Sequence, residues 1–446
     1  MSGTPTARMA PATEHHFVTN TIGALFLPAV ALVTAPVLAR ALGPEGRGVV
    51  AGASAPYLLM AVVGALGIPD AVTFFVARSG VRIRTLRFGG LIALGLGVLS
   101  MLGILTLSGW LGGDDSLIPP LVRVAAIPLP LYLCLGVVRG FAQGLNRWRL
   151  VATEQAIFGI TRLVAIVGLL AVGHLHELEA TLVFVISPVL GGLAYLPLFA
   201  RTRSYDEGVH DPVGLGRVMS YGLRVWIGAI AGVLMYRLDQ TLMIPLSNSQ
   251  QLGIYAVAVS VGEIPSLVTT SVQTVSLARE SKAPSLDALA STSRVATLVC
   301  AALAVCLASA CPIGVPLFFG RDFSSSTPVV WVLTLAAVIG TSGGVAGAGL
   351  TGRGRPGLRS IALTAACLVN TLLIVILVPP FGAMGAAVAM VGGTGTTSVV
   401  AIWMLRRWFG ASPLDFVLVR RADFTEIRST ATKLLRRQRP VPRRMA

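Results

Sequence analysis

Charge is what this 446-residue chain has least of. Asp, Glu, Lys and Arg together make up 12% of it, about half the ~25% of a water-soluble protein, and an ordinary soluble enzyme is excluded on that ground. Lysine is nearly missing: only Lys282 and Lys433 occur, so the excess of 35 Lys and Arg over 19 Asp and Glu is an arginine excess. Neither lysine stands between Gly and Ser or Thr, which removes nucleotide hydrolysis by a P-loop. HExxH and HxE…CxxC are absent too. The five cysteines (Cys134, Cys300, Cys306, Cys311, Cys367) lie in apolar runs without a CxxC pair or a histidine at ligand spacing. They read as small packed hydrophobes, not as a metal centre. His174, His176, Glu177 and Glu179 share one short loop, but their spacing does not favour a metal site. The polar start from Met1 to His16 leads into an apolar run too long for a signal-peptide core.

What the chain has instead is apolar length. Apolar residues make up 54%, mean hydropathy is +0.79, and runs of about 20 apolar residues, enough to cross a bilayer as a helix, recur from end to end. Twelve spans are predicted, at 17–39, 48–77, 89–109, 117–138, 151–172, 179–200, 219–245, 252–278, 295–318, 327–350, 358–379 and 382–405. The connections alternate in character. Arg78, Arg82, Arg84 and Arg87 mark one, Arg139, Arg147 and Arg149 the next of its kind, whereas Asp114, Asp115, Glu177 and Glu179 mark those between. In all, 28 of the 35 cations fall on one side. By the positive-inside rule that side is the cytoplasm, which puts both termini inside a plasma-membrane protein. A basic balance placed in this way answers to membrane insertion and anionic lipids, not to nucleic acid.

The expected architecture is all-α and polytopic. A cytoplasmic N-terminus (1–16) precedes an N-terminal six-helix bundle (17–200), a cytoplasmic linker (201–218), a C-terminal six-helix bundle (219–405) and a basic tail (406–446). The six-and-six division invites an internal repeat. The second span opens Gly48-Val-Val-Ala51, and its counterpart in the other half opens Gly253-Ile-Tyr-Ala256. Gly140-Phe-Ala-Gln-Gly-Leu-Asn-Arg147 and Gly347-Ala-Gly-Leu-Thr-Gly-Arg353 rhyme in the same way.

Leu38-Ala-Arg-Ala-Leu-Gly-Pro-Glu-Gly-Arg-Gly48 resembles the end of the first span in polysaccharide (O-antigen-type) flippases. Those belong to the multidrug/oligosaccharidyl-lipid/polysaccharide exporter superfamily. Tyr236-Arg-Leu-Asp-Gln240 with Leu252-Gly-Ile-Tyr-Ala256 resembles the same family's seventh-to-eighth span junction. Gly352-Arg-Gly-Arg-Pro356, Asn370 and Gly382-Ala-Met-Gly-Ala-Ala-Val-Ala389 resemble its tenth to twelfth spans. The resemblance runs over about residues 17–405. It implies a V-shaped pair of six-helix bundles that carries lipid-linked oligosaccharide to the outer leaflet by alternating access. Lipid II flippases are similar but typically carry two further C-terminal spans, and residues 406–446 are too charged to supply them.

A charge in mid-membrane costs roughly 2.5–3.5 kcal/mol even on lenient scales, so each one needs a partner or a task. Arg40, Arg123, Arg162, Arg224 and Arg237 are the cations in or beside spans, with Arg162 well inside the fifth. Either they snorkel to the interface, or Arg40, Arg123, Arg162 and Arg237 line a cationic cavity that grips a pyrophosphate headgroup. The carboxylates are Asp70, Glu154, Asp239 and Glu263. Asp70 follows Gly67-Ile-Pro69, where a kink frees backbone carbonyls, and Glu263 precedes Pro265. Such groups either bind a coupling ion, H⁺ or Na⁺, or pair with an arginine of a neighbouring span. No cofactor is expected beyond that ion.

The tail from Ser412 alternates apolar and basic residues and is expected to lie along anionic lipids, with a glycosyltransferase or polymerase of the same pathway as the alternative partner. Two rival functions stay open. A drug/cation antiporter would line its cavity with carboxylates and aromatics. A membrane polysaccharide polymerase or ligase needs a sizeable outer loop, and this chain's outer loops are a few residues each.

Overall fold

Lipid offers no hydrogen-bond partner, so a chain that crosses it must close its backbone bonds within each helix. The computed structural model, which describes residues 11–79, 83–200, 215–418 and 420, is helical throughout its apolar runs and has no strand among the described residues. Parts of the expected N-terminus (1–10), the linker (201–214) and most of the tail (419, 421–446) lie outside the described residues, as does 80–82 with Arg82.

Two helices are too long for one crossing. α1 (Pro11–Val63) has 53 residues and a later helix, Pro356–Phe409, has 54. At 1.5 Å per residue either would reach about 80 Å, against a hydrocarbon core of about 30 Å. Each is broken at a single glycine in the left-handed region, Gly43 (φ 66°, ψ −177°) and Gly382 (φ 53°, ψ −126°), a conformation that L side chains resist. Pro44 follows Gly43, and its fixed φ and missing N–H suit the first turn of a new helix. α1 therefore holds the first span and the start of the second. The second resumes after a turn at 64–67 as α2 (Ile68–Ser79), with Leu66 and Gly67 at positive φ; this is the kink expected ahead of Pro69.

α3 (Ile83–Gly112) is the third span. α4 (Ile118–Ala126) and α5 (Leu129–Gly144) form the fourth, bent by 40°. α6 (Trp148–Val172) is the fifth. α7 (Glu177–Gly191) runs through a 3-10 turn into α8 (Leu196–Ala200) as the sixth. α9 (Leu215–Leu246) is the seventh, and α10 (Ser249–Gly262) with α11 (Ser266–Lys282), bent by 49° ahead of Pro265, the eighth. α12 (Leu286–Phe319) and α13 (Ser326–Gly352) are the ninth and tenth, α14 (Pro356–Phe409) supplies the last two, and the short α15 (Pro413–Val417) follows. Twelve apolar crossings result, as the hydropathy pattern predicts. Large apolar side chains stay exposed in mid-helix, among them Leu91, Leu99, Val164, Ile313 and Leu368. A surface of that kind suits a lipid environment.

Contacts group the chain into two compact units. The first comprises Met1–Ser260, Val315–Ser326 and Val378–Ala383. Within it, alternate turns of the chain gather at one end: Gly46 beside Glu177, Gly113 beside Ile244, Gly382 beside Gln251. An up-and-down order requires this. At the same end the two glycines that open the repeat-related second and eighth spans pack on each other reciprocally. A Cβ at Gly48 would stand 1.7 Å from the carbonyl oxygen of Ser249, and one at Gly253 would stand 1.8 Å from that of Pro44. In each case the carbonyl lies four residues before the partner glycine. The contact is thus self-complementary, as a two-fold relation between repeats demands.

The second unit comprises Val261–Gly314, Thr327–Leu377 and Met384–Ala446. Its core joins Leu289 of α12, Val345 and Leu350 of α13, and Ala401 and Leu405 of α14, with Phe416 of α15 buried among them. Ser293 donates to the carbonyl of Phe416 at 3.4 Å, and Arg294 to that of Asp415. The start of the tail is thereby seated on protein.

Gly253→Ala should cost about 1–3 kcal/mol, the usual penalty of overpacking, read as lowered thermal stability of the purified protein in detergent. Gly95→Ala on α3, where an added Cβ meets nothing within 4 Å, should be neutral or slightly stabilising. Equal effects of the two would contradict the close crossing.

Candidate functional site

α1, α6 and α7 pack around Leu38, Val50, Ile166, Leu175 and Ala180, with Phe184 at the border of this cluster. That packing brings two cations to one aromatic ring. The guanidinium of Arg162 on α6 lies 3.8 Å from the Phe184 centroid, and that of Arg47 on α1 lies 6.0 Å from it. Arg47 is only 8% exposed and Arg162 is half-buried. The Nε atoms of both are buried without a hydrogen-bond partner. No carboxylate among the described residues forms an ion pair with either, although Glu177 and Glu179 stand on the first turn of α7 and Glu179 Oε2 is itself buried without a partner.

The energetics of this pair are unfavourable. The two ring distances keep the guanidinium carbons within about 10 Å of each other, where like charges repel by roughly 1.7 kcal/mol or more at an effective dielectric near 20. A cation–π contact returns about 0.5–2 kcal/mol. It does not offset the several kcal/mol that an unpaired buried charge costs. What the arrangement can do is accept an anion: several N–H donors in a low-dielectric setting, with no internal counter-charge.

The other predicted cations are elsewhere. Arg40 donates from Nε to the carbonyl of Phe318 at 2.9 Å and from Nη2 to that of Leu317, so it caps the end of α12, where unsatisfied carbonyls and the helix dipole favour a cation. Arg123 donates from Nε to Ser108 Oγ at 2.9 Å. Arg224 donates back to its own helix at the Ser220 carbonyl, 3.1 Å away. Arg237 is exposed. The structure does not bring Arg40, Arg123 or Arg237 to Arg162.

Glu154 and Asp239 are matched inside the protein. Glu154, 3% exposed, accepts from Arg139 Nε at 2.9 Å and from the Tyr195 hydroxyl at 2.6 Å, with the Arg139 Nη2 on its other oxygen. Asp239 is buried and accepts from the Tyr255 hydroxyl and from the Gln240 amide at 2.7 Å; its partner from another helix is a tyrosine where an arginine was expected. Asp70 stands exposed on the first turn of α2 with no partner among the described residues, and Glu263 is exposed in the break between α10 and α11. The second unit has its own buried pair, Glu280 with Arg353 at 2.8 Å. Among the described residues no three His, Cys, Asp or Glu side chains are placed to hold a metal ion.

Sequence reasoning missed Arg47 as a site residue because hydropathy puts it in a turn. The available signal was that it is one of the few cations outside the basic loops.

Glu154→Ala strands the Arg139 charge and should destabilise the protein by about 3–5 kcal/mol, whereas adding Arg139→Ala to it should restore part of that loss. Denaturation of the single and double variants measures the coupling. Strictly additive losses would show that the pair does not act as a unit.

Residues 17–279 match the family model described as polysaccharide biosynthesis protein. No curated protein matches the chain. Three solved structures show the fold. An inward-facing multidrug resistance MATE family transporter of the MOP superfamily superposes with a TM-score of 0.73 at 15% identity, covering 87% of this chain and 98% of that one. A lipid II flippase MurJ in an inward closed conformation gives 0.70 at 14%, over 94% and 91%. An outward-facing MATE family transporter of the same superfamily gives 0.60 at 16%, over 89% and 96%. With more than half of its length matched by that model, and with a fold like those of the MATE and MurJ structures, this multi-pass membrane protein belongs to the polysaccharide biosynthesis protein family.

Proposed function

We propose that this protein is a flippase that carries a lipid-linked oligosaccharide, joined to its carrier through a pyrophosphate, across the plasma membrane by alternating access, without nucleotide hydrolysis and without catalytic chemistry of its own. Its basic loops and both termini face the cytoplasm in this reading, as the arginine distribution requires. Membership of a polysaccharide biosynthesis family supports a glycan cargo. The observation that supports an anionic cargo is the contrast within the spans: Glu154 and Asp239 are matched by partners, while Arg47 and Arg162 each keep a buried Nε without one, and the unpartnered carboxylate oxygen, Glu179 Oε2, stands on the first turn of α7. A transporter of cations needs the reverse.

Asp70 is the group for a coupling ion, H⁺ or Na⁺, because it lies beside a broken helix with its carboxylate unpartnered. Glu263, in the break of the eighth span, is the second candidate for that ion by its place beside a broken helix. Glycosyltransferases and a polymerase of the same pathway are the partners this cargo implies. Asp70 also keeps the antiporter reading in view, since the MATE transporters share this fold.

Reconstitution separates the two. Proteoliposomes should move a fluorescent prenyl-diphospho-oligosaccharide between leaflets, and Arg162→Ala should slow that movement about tenfold or more, the worth of one charge-assisted contact. Efflux of a cationic dye driven by a proton gradient, with no movement of the glycolipid, would establish the antiporter in its place.

A further inference from the structure

The second unit gathers cations at the end where α14 both begins and finishes. Arg355 precedes the first turn of α14, and Arg406 and Arg407 lie in its last. All three are exposed, and none forms an ion pair among the described residues. Nearby carboxylates are taken, Glu280 by Arg353 and Asp415 by Arg420, and Asp287 on the first turn of α12 pairs with none of the three. Arg355 is held in place: its guanidinium lies 4.2 Å from the centroid of the Trp408 indole, itself 50% exposed. The ring covers one face of the guanidinium, while the N–H donors point outward in its plane. Stacking thus fixes the fork and leaves its donors open. The last span runs from the Gly382 break to Phe409, about 40 Å of helix against a hydrocarbon core of about 30 Å, so Trp408 stands at headgroup depth. Trp403, 57% exposed, shares a helix face with Arg406 and Arg407 by its three- and four-residue spacing. Leu414 on α15 and Leu418 just after it are exposed as well.

We infer that Arg355, stacked on Trp408, together with Arg406 and Arg407 binds the phosphate of an anionic phospholipid in the leaflet that the basic loops face, with an acyl chain of that lipid along Trp403. Charge complementarity argues for this occupant. Unopposed guanidinium groups at headgroup depth, with exposed indoles beside and beneath them, match a phosphate that carries an apolar chain. A soluble anion would leave Trp403 and Leu414 uncovered. The positive-inside rule asks only that cations lie on one side, not that a guanidinium be held flat on an indole with its donors free. The sequence pattern puts lipid contact along the tail from Ser412. In the structure, α15 is instead seated on protein through Ser293 and Arg294, and the unopposed cations lie ahead of it on α14. A fixed fork loses less freedom when it closes on phosphate oxygens, so Arg355 anchors the headgroup and the other two arginines add charge. The inference does not depend on the cargo and stands or falls apart from the flippase reading.

The test uses the full chain in phosphatidylcholine nanodiscs and two probes, phosphatidylglycerol and phosphatidylcholine with brominated acyl chains. Bromine quenches tryptophan fluorescence at short range, and the part of the signal that Trp403→Phe removes, measured in each protein, reports the chain beside that residue. The wild type should bind the anionic probe there at least about tenfold more tightly than the neutral one, at roughly fivefold per arginine. Arg355→Gln and Arg407→Gln should each lower that preference about fivefold, and the triple variant Arg355→Gln/Arg406→Gln/Arg407→Gln should abolish it. Arg355→Lys, which keeps the charge but not the planar fork, should retain more of it than Arg355→Gln. Quenching by the neutral probe should stay at the wild-type level in every variant, as an intact fold requires. Arg407 stacks on no ring among the described residues, so its variant carries the test even where Arg355→Gln fails to fold. A wild type quenched equally by both probes would overturn the proposal. So would a preference that survives the triple variant; its disappearance in the full chain with Arg436→Gln, Arg437→Gln and Arg439→Gln would then put the lipid on the tail.

Discussion

An ion inside a bilayer must be answered by another ion, by a dense set of hydrogen bonds, or by something that arrives from outside. That constraint sorts the charged residues of this protein. Glu154 is answered by Arg139 and Tyr195, Asp239 by Tyr255, and Glu280 by Arg353. Arg40 is answered by the carbonyls at the end of α12. Arg47 and Arg162 meet the Phe184 ring and form no ion pair among the described residues. Everything proposed about cargo follows from that imbalance of sign.

The scaffold that holds the imbalance in place rests on glycine and proline. Gly43 and Gly382 turn two over-long helices into four spans, and Pro69, Pro128 and Pro265 stand at the breaks within three others. The reciprocal approach of Gly48 and Gly253 brings backbone to backbone where any side chain would collide. In lipid, where apolar surface gains nothing by leaving solvent, close approach of this kind is a principal source of helix association. It also sets the position of Arg47, which lies one residue before Gly48 on the same turn of α1.

The spans were legible in the sequence because crossing lipid imposes a length and a polarity that composition alone displays. The alternation of basic and acidic turns foretold the up-and-down order, and the rhyme between Gly48-Val-Val-Ala51 and Gly253-Ile-Tyr-Ala256 pointed at two residues that the fold places in contact. The partners were not legible. Arg139 and Glu154 stand on consecutive spans and Asp239 and Tyr255 on another such pair, but which side chains meet depends on helix rotation, which an all-apolar span does not encode in its pattern. Arg162 stood out in the sequence as a charge well inside the fifth span, and the fold leaves it half-buried beside Phe184. Its neighbour Arg47 was overlooked because it sits in a turn by hydropathy and is buried by α6 and α7 only in three dimensions.

The most direct measurement is an experimental structure of the full chain with a prenyl-diphospho-sugar bound, at a resolution that shows phosphate oxygens. The account predicts the diphosphate between Arg47 and Arg162, within hydrogen-bond distance of their guanidinium nitrogens. A headgroup held elsewhere, with Arg47 and Arg162 still on Phe184 and the carboxylate of Glu177 or Glu179 turned to pair with them, would contradict it.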